Sequence, residues 1–405
     1  MHKLFRSLDI AKLLLLLVVG FPGVSKIIFA FIIKYYGGIE LIGVYANDLN
    51  VASIIGTVPA LGFSAVLMNR IPNSDGFNKK IIFGKVLALT FIVIAVSIPL
   101  IVFLKKLDII IDLKAVVVYL TGFSLYQLVR HNLIAEKKYL NIIILESLIV
   151  IVVTSAFLFQ VDNPLFYHGV ALLSIFGVVI IPLVKFNKHS VQCLSEFKSG
   201  MGFGFSNLSS SFLALLSVPL ANQLLGVIYA GMLGIINPII NVALLIPRSL
   251  SSYYIPLLVK LKKYSREQFA LFDVFFRRNW LFLTIICLFI LGGWISFLLF
   301  ENGSEWSIRD SFFIVGIIVF YTYITQISLP FYSLMNAWDN SKVSFVSNLV
   351  VLISFLFYSF LLSQFGKKVQ NVVLFELYYV GLIILYFGRF LWLRRIVYKE
   401  KIKHE

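Results

Sequence analysis

Residues Leu13 to Tyr36 read LLLLLVVGFPGVSKIIFAFIIKYY, an apolar run interrupted by Pro22-Gly23 and carrying Lys26 in its interior. A run of this length suits a helix that crosses the hydrocarbon core of a bilayer. A lysine near the bilayer centre costs ~2.5–3.5 kcal/mol on insertion scales, so it should face a partner or a watery cavity in preference to lipid. The other reading is that its four-carbon stem lifts the ammonium toward an interface. The same kind of segment recurs about twelve times along the chain, separated by short polar connections. The 405 residues are 60% hydrophobic and 13% charged, with a mean hydropathy of +0.95. Such a composition excludes an ordinary soluble globule and predicts an all-α integral membrane protein.

The formal net charge of +16 raises nucleic acid as a partner, but that needs a basic face on a folded module, and these charges sit between spans. No nucleic-acid partner is expected. With the N-terminus inside, cations on the inner loops outnumber those outside by about three to one, which predicts both termini cytoplasmic by the positive-inside rule. Met1 to Gly20 imitates a signal peptide but lacks a small-residue cleavage site, and it reads as an uncleaved first span. Cys193 falls in a loop and Cys287 in a span, so neither a disulfide framework nor a thiolate metal site is expected. His2, His131, His168, His189 and His404 show no ligand spacing, and neither a metal nor a cofactor is expected.

The spans are predicted at about 13–36, 41–69, 81–104, 113–134, 141–160 and 165–184, then at about 202–224, 227–258, 279–300, 311–334, 343–363 and 372–393. The first long polar stretch, Lys185 to Gly200, separates the two sets. The expected organisation is therefore an N-terminal lobe at 1–187, a cytoplasmic linker at 188–200 and a C-terminal lobe at 201–405 with a basic tail. Both halves start on the same side, so any duplication is parallel, about an axis along the membrane normal. Gly43-Val44-Tyr45-Ala46 in helix 2 and Gly226-Val227-Ile228-Tyr229-Ala230 in helix 8 supply a short echo. Gly200-Met201-Gly202-Phe203-Gly204 follows no strand and reads as close helix packing or a flexible helix start instead of a nucleotide loop.

Polarity concentrates on the first helix pair of each half. Asn47, Asn50, Thr57 and Ser64 fall within ~100° on helix 2; Asn237, Asn241, Arg248 and Ser252 fall within ~60° on helix 8, where Pro238 and Pro247 can shift the phase. Ser206, Ser210 and Ser217 share ~40° of helix 7. Such faces must meet other helices or water, and their matching placement suggests a shared central cavity. Lys26 and Arg248 are the deep cations, whereas Lys85, Arg130 and Arg389 are expected to snorkel to cytoplasmic ends. The excess suits an anionic ligand, a diphosphate above all. Asp48 and Glu146 are candidate coupling-ion sites, because a buried carboxylate can exchange a proton, and each could equally pair with a neighbouring helix. Glu376 is the other acid placed well inside a span.

The chain resembles the Wzx-type O-antigen flippases of the multidrug/oligosaccharidyl-lipid/polysaccharide exporter superfamily over nearly its whole length. The resemblance rests on the opening helix with Lys26, the connection Tyr35-Tyr36-Gly37-Gly38-Ile39-Glu40-Leu41-Ile42-Gly43-Val44-Tyr45, the following Leu61-Gly62-Phe63, and the Gly226 to Ala230 segment. It implies a MATE-like V-shaped pair of six-helix lobes in a bacterial plasma membrane, opening a cationic cavity alternately to either side. The implied cargo is an undecaprenyl-diphosphate-linked oligosaccharide, with a proton or sodium as coupling ion. The polymerase and chain-length proteins of the same pathway are implied partners. Lys26 and Arg248 fall where related flippases contact pyrophosphate, and Lys26 would look across the cavity to the polar stripe carrying Arg248. Arg70 lies at the very end of helix 2. With Asn47, Asn50, Asn237 and Asn241 these residues form the expected substrate-binding set. The rival readings are an O-antigen polymerase or membrane glycosyltransferase, which would carry a long outer loop, and a multidrug exporter on the same scaffold. No catalytic residue set is visible, and the expectation is a protein that is not an enzyme.

Overall fold

The structure is a computed structural model that describes residues 10–158, 163–180, 183, 194–300, 308–338, 341–365 and 371–404. Cys193, His189, the first half of the expected linker, and the side chains of Ser206, Ser210 and Ser252 lie outside the described residues. The apolar segments become helices because hydrocarbon offers no partner for backbone N–H and C=O groups, and a helix satisfies them within one segment. Among the described residues there is no strand.

In chain order the helices are α1 (Ile10–Gly56), which continues through a π-helical turn (Thr57–Gly62) into α2 (Phe63–Arg70), then α3 (Gly76–Lys106), α4 (Leu113–Ala135), α5 (Tyr139–Leu158) and α6 (Pro164–Ile180). There follow α7 (Leu194–Leu215), α8 (Ser217–Leu225), α9 (Val227–Ala243), α10 (Leu245–Lys260), α11 (Arg266–Phe300), α12 (Ile308–Ile327), α13 (Leu329–Ala337), α14 (Ser341–Phe365) and α15 (Asn371–His404). Eight helical stretches among the described residues are long and apolar enough to cross a membrane. Leu17–Arg70, at 54 residues, is long enough to do so twice. Its break is Gly38, at φ 73° and ψ −173°, a conformation a residue with a Cβ rarely adopts. The protein is a multi-pass helical membrane protein.

Prolines set the other breaks. A proline cannot donate to the carbonyl four residues back, so a helix parts just upstream of it. Leu216 precedes Pro219, Leu244 precedes Pro247 and Ser328 precedes Pro330, and these are the points where α7 gives way to α8, α9 to α10, and α12 to α13. Pro59 lies within the π-helical turn, where the α2 approach widens.

The chain divides into two compact units, Met1–Ile235 and Ile236–Glu405. The first is built on Phe63, Leu67, Phe83, Leu125, Leu128 and Ile142, all buried. The second centres on Tyr254, Phe272, Phe275, Phe331, Trp338 and Phe390. The start of α9 belongs to the first unit because it lies directly on α1. A Cβ on Gly43 would stand 2.0 Å from the Val227 carbonyl oxygen, and one on Gly231 would stand 2.3 Å from that of Ile39. The contact is reciprocal, as across a local two-fold axis. It also corrects the register of the sequence echo. Gly226, with φ 95°, is the counterpart of Gly38 and not of Gly43, and Gly43 is then the counterpart of Gly231, Pro59 of Pro247. Positive φ, invisible in the letters, fixes the alignment. Gly200 and Gly204 pack closely, since a Cβ on Gly62 would meet the Gly200 oxygen at 2.4 Å and Gly204 Cα at 2.8 Å, whereas a Cβ on Gly202 would meet nothing within 4 Å.

Candidate functional site

Pro22 stands inside α1 and therefore leaves the Val18 carbonyl, four residues back, without its helical donor. The orphan oxygen is met from another helix: Arg130 of α4 donates from Nη2 to Val18 O at 2.7 Å. The same guanidinium donates from Nε to Glu146 Oε1 of α5 at 3.0 Å. Both side chains are deeply buried, 11% and 6% exposed, so each supplies the charge the other needs in low dielectric. Arg130 does not snorkel. It points inward, because a carboxylate and a bare carbonyl lie there.

One turn beyond Pro22, Ser25 donates to the Pro22 oxygen at 3.1 Å, and Lys26 follows. Lys26, Arg130 and Glu146 line a cavity of about 340 Å³ inside the first unit, together with Ser25, Tyr119, Tyr126, Gln127, His131 and His168. Its walls come from α1, the π-helical turn, α4, α5 and α6. The α4 contribution recurs at Tyr119, Phe123, Tyr126, Gln127, Arg130 and His131, one helical face. His168 of α6 takes a 3.0 Å hydrogen bond between its Nδ1 and the Tyr45 hydroxyl. Edge contacts hold its ring against Phe29 at 5.1 Å and Tyr119 at 5.0 Å between centroids. Lys26 is close enough to act on that ring electrostatically.

The cavity's electrostatics are lopsided. Arg130 and Glu146 cancel, and Lys26 has no hydrogen bond or carboxylate among the described residues. The Tyr126 hydroxyl and Gln127 Oε1 are also buried without a hydrogen-bond partner. The Tyr126 hydroxyl is near Glu146, without the geometry of a hydrogen bond. A buried polar atom without a partner marks a place for a ligand or an ordered water. The set offers one free ammonium, one hydroxyl and one carbonyl oxygen, suited to an anion flanked by hydroxyl groups.

The other residues expected at the site are placed differently. Asp48 is buried and accepts from the backbone N–H groups of Ile111 at 2.9 Å and Asp112 at 2.6 Å and from Asn47 Nδ2 at 2.9 Å. Asn47 also donates to Ile109 O at 2.9 Å. These two residues hold the turn that leads into α4, and neither lines the cavity. Asn50 donates to Ala46 O on its own helix at 2.7 Å. Arg70 pairs with Glu196 of α7 at 2.7 Å and donates to Ser195 Oγ at 3.2 Å, tying α2 to α7. Asn237, half-buried, and Asn241 and Arg248, both exposed, belong to the second unit. Of the residues the sequence singles out for the site, Lys26 and Glu146 line this cavity; Arg130, Gln127, Tyr126 and His168 line it as well and are not in the expected set. One signal was available: Arg130 and Glu146 lie equally far from Lys138, at the turn joining α4 to α5, so an antiparallel pair brings them level. Among the described residues, no group of three or more His, Cys, Asp or Glu side chains gathers as a metal site would.

No protein-family model matches the chain, and no curated protein matches it by sequence. Solved structures do match it. The lipid II flippase MurJ in an inward closed conformation superposes with a TM-score of 0.66 at 12% identity, over 96% of this chain and 89% of that one. A eukaryotic MATE transporter, AtDTX14, gives 0.63 at 15% identity, over 97% and 96%. An inward-facing multidrug resistance MATE transporter of the MOP superfamily gives 0.61 at 12% identity, over 98% and 96%. By fold, this multi-pass helical membrane protein stands with the MATE and MurJ transporters.

Proposed function

We propose that the protein is a flippase that carries an undecaprenyl-diphosphate-linked oligosaccharide, an O-antigen repeat unit, from the inner to the outer leaflet of a bacterial plasma membrane by alternating access. The observation that carries this reading is Lys26, a cation lining an intramembrane cavity whose one carboxylate, Glu146, is paired with Arg130, and with no hydrogen bond or ion pair of its own among the described residues. A phosphate oxygen is the partner an ammonium binds most strongly where water is scarce. The Tyr126 hydroxyl and the Gln127 carbonyl oxygen then serve sugar hydroxyls. A cavity of about 340 Å³ is at the small end of ligand sites, and it receives the diphosphate and the first sugar while the lipid tail stays in the bilayer. Among the fold neighbours, one is a lipid II flippase. The repeated halves are assigned to 1–187 and 201–405, with both termini cytoplasmic. Glu146 is the proposed proton- or sodium-coupling carboxylate, since its charge and that of Arg130 are mutually dependent. Asp48 remains a second candidate, less favoured because its oxygens already hold a turn.

In a deletion strain, Lys26→Ala is expected to fail to restore surface polysaccharide and to leave lipid-linked repeat units in the inner leaflet, with Arg248→Ala as the companion variant. Full complementation by Lys26→Ala would remove the anion-binding role. A multidrug exporter is the second reading, favoured by the Glu146 carboxylate in the cavity and by the MATE neighbours. It predicts drug sensitivity of the deletion strain with polysaccharide unchanged.

A further inference from the structure

Glu376 is an intramembrane acid that the cavity does not use. It lies near the start of α15, about 7–8 Å along the helix from Asn371, and it makes no hydrogen bond or ion pair among the described residues. It borders a groove of about 350 Å³ between α12 and α15, whose walls are Phe312, Phe313, Phe320 and Val380. Those walls face out of the protein, with Phe313 52%, Phe320 51% and Val380 40% exposed. Gly316 forms part of the floor, and a Cβ there would meet nothing within 4 Å. The groove thus exists because α12 has no side chain at that point.

A groove on the outer face of membrane-spanning helices is filled by whatever surrounds them, and in a bilayer that is an acyl chain. The carboxylate at one end sets the headgroup. An anionic headgroup brings like charge against Glu376, a choline brings charge without an N–H to donate, and a primary ammonium brings both charge and donors. We propose that the α12/α15 groove is a binding site for a phospholipid with a primary-ammonium headgroup of the ethanolamine class, its acyl chain along Phe312, Phe313 and Phe320 and its ammonium on Glu376. The site is independent of the cargo cavity, which lies in the other unit.

The test is to purify the full chain in detergent with equimolar phosphatidylethanolamine and phosphatidylglycerol and to count retained lipid by native mass spectrometry. Wild type is expected to retain the ethanolamine lipid over the glycerol lipid by about tenfold or more, the worth of one charge-assisted hydrogen bond. Glu376→Gln is expected to bring the two near parity. Gly316→Leu, which fills the open floor, is expected to lose both lipids while its melting temperature stays near that of wild type. No ethanolamine preference in wild type, an undiminished preference in Glu376→Gln, or a co-purifying membrane protein seated on α12 and α15 in place of lipid would each overturn the proposal.

Discussion

The two units each contain a membrane helix in which a proline leaves a carbonyl oxygen without its helical donor, and each meets that oxygen with a different side chain. In the first unit Pro22 orphans the Val18 oxygen, and Arg130 meets it at 2.7 Å. In the second, Pro330 orphans the Gln326 oxygen, and the buried amide of Asn279 meets it at 3.2 Å. The charged donor Arg130 is compensated by the Glu146 carboxylate beside it; the neutral amide of Asn279 brings no charge to compensate. The second unit has a buried cation too. Arg389 is 8% exposed and donates to Asn348 Oδ1 at 2.6 Å and Ser328 Oγ at 2.7 Å. Tyr332 and Tyr386 lie against its guanidinium at 4.7 and 4.4 Å. It was expected to snorkel, and aromatic faces and neutral oxygens hold it inside instead. The difference teaches that intramembrane charge alone does not mark a binding site. Both terminal nitrogens of Arg389 are taken by its own partners and its faces by tyrosine rings, with Nε alone buried and unpaired, whereas Lys26 lines a cavity and has no hydrogen bond or ion pair among the described residues.

This contrast can be broken experimentally. Glu146→Ala should have the largest effect, because it strands Arg130 as a buried uncompensated charge at a cost of about 3–5 kcal/mol. Thermal unfolding in detergent would read it, and the Arg130→Ala, Glu146→Ala double variant should recover part of the loss. A near-neutral Glu146→Ala would mean that the pair does not carry the structure. Asn279→Ala should cost less, about 1–3 kcal/mol, since it leaves one carbonyl unpaired and no charge. In a Pro330→Ala background the backbone regains its donor and most of that cost should vanish, so equal costs in both backgrounds would refute the orphan-carbonyl account. Lys26→Ala should have the smallest effect on stability, within about 0.5 kcal/mol, because it breaks no contact. A large loss of melting temperature would assign Lys26 to the scaffold instead of the ligand.

Much of the fold was legible because the bilayer leaves so few choices. About twenty apolar residues in a row must be helical, and the predicted segments coincide with helices wherever the chain is described. The glycine echo was visible but misregistered by five residues, since Gly38 and Gly43 look alike until the backbone shows which has positive φ. At the candidate site, Lys26 was legible from its cost alone. Arg130 was not, because whether a long cation snorkels or turns inward depends on what stands opposite, here a carboxylate on the next helix and a carbonyl freed on the first. The surroundings of Asp48 were not legible for the same reason, since the Ile111 and Asp112 amides that donate to it come from a turn over sixty residues away.

The sequence by itself determined that this chain is a bundle of membrane helices with an expensive lysine in the first of them, for hydropathy and length are local properties read directly from the letters. Only the tertiary structure decided which polar groups are already paid for by a partner and which face a void, because pairing across helices depends on their depth and rotation, and no local pattern encodes either.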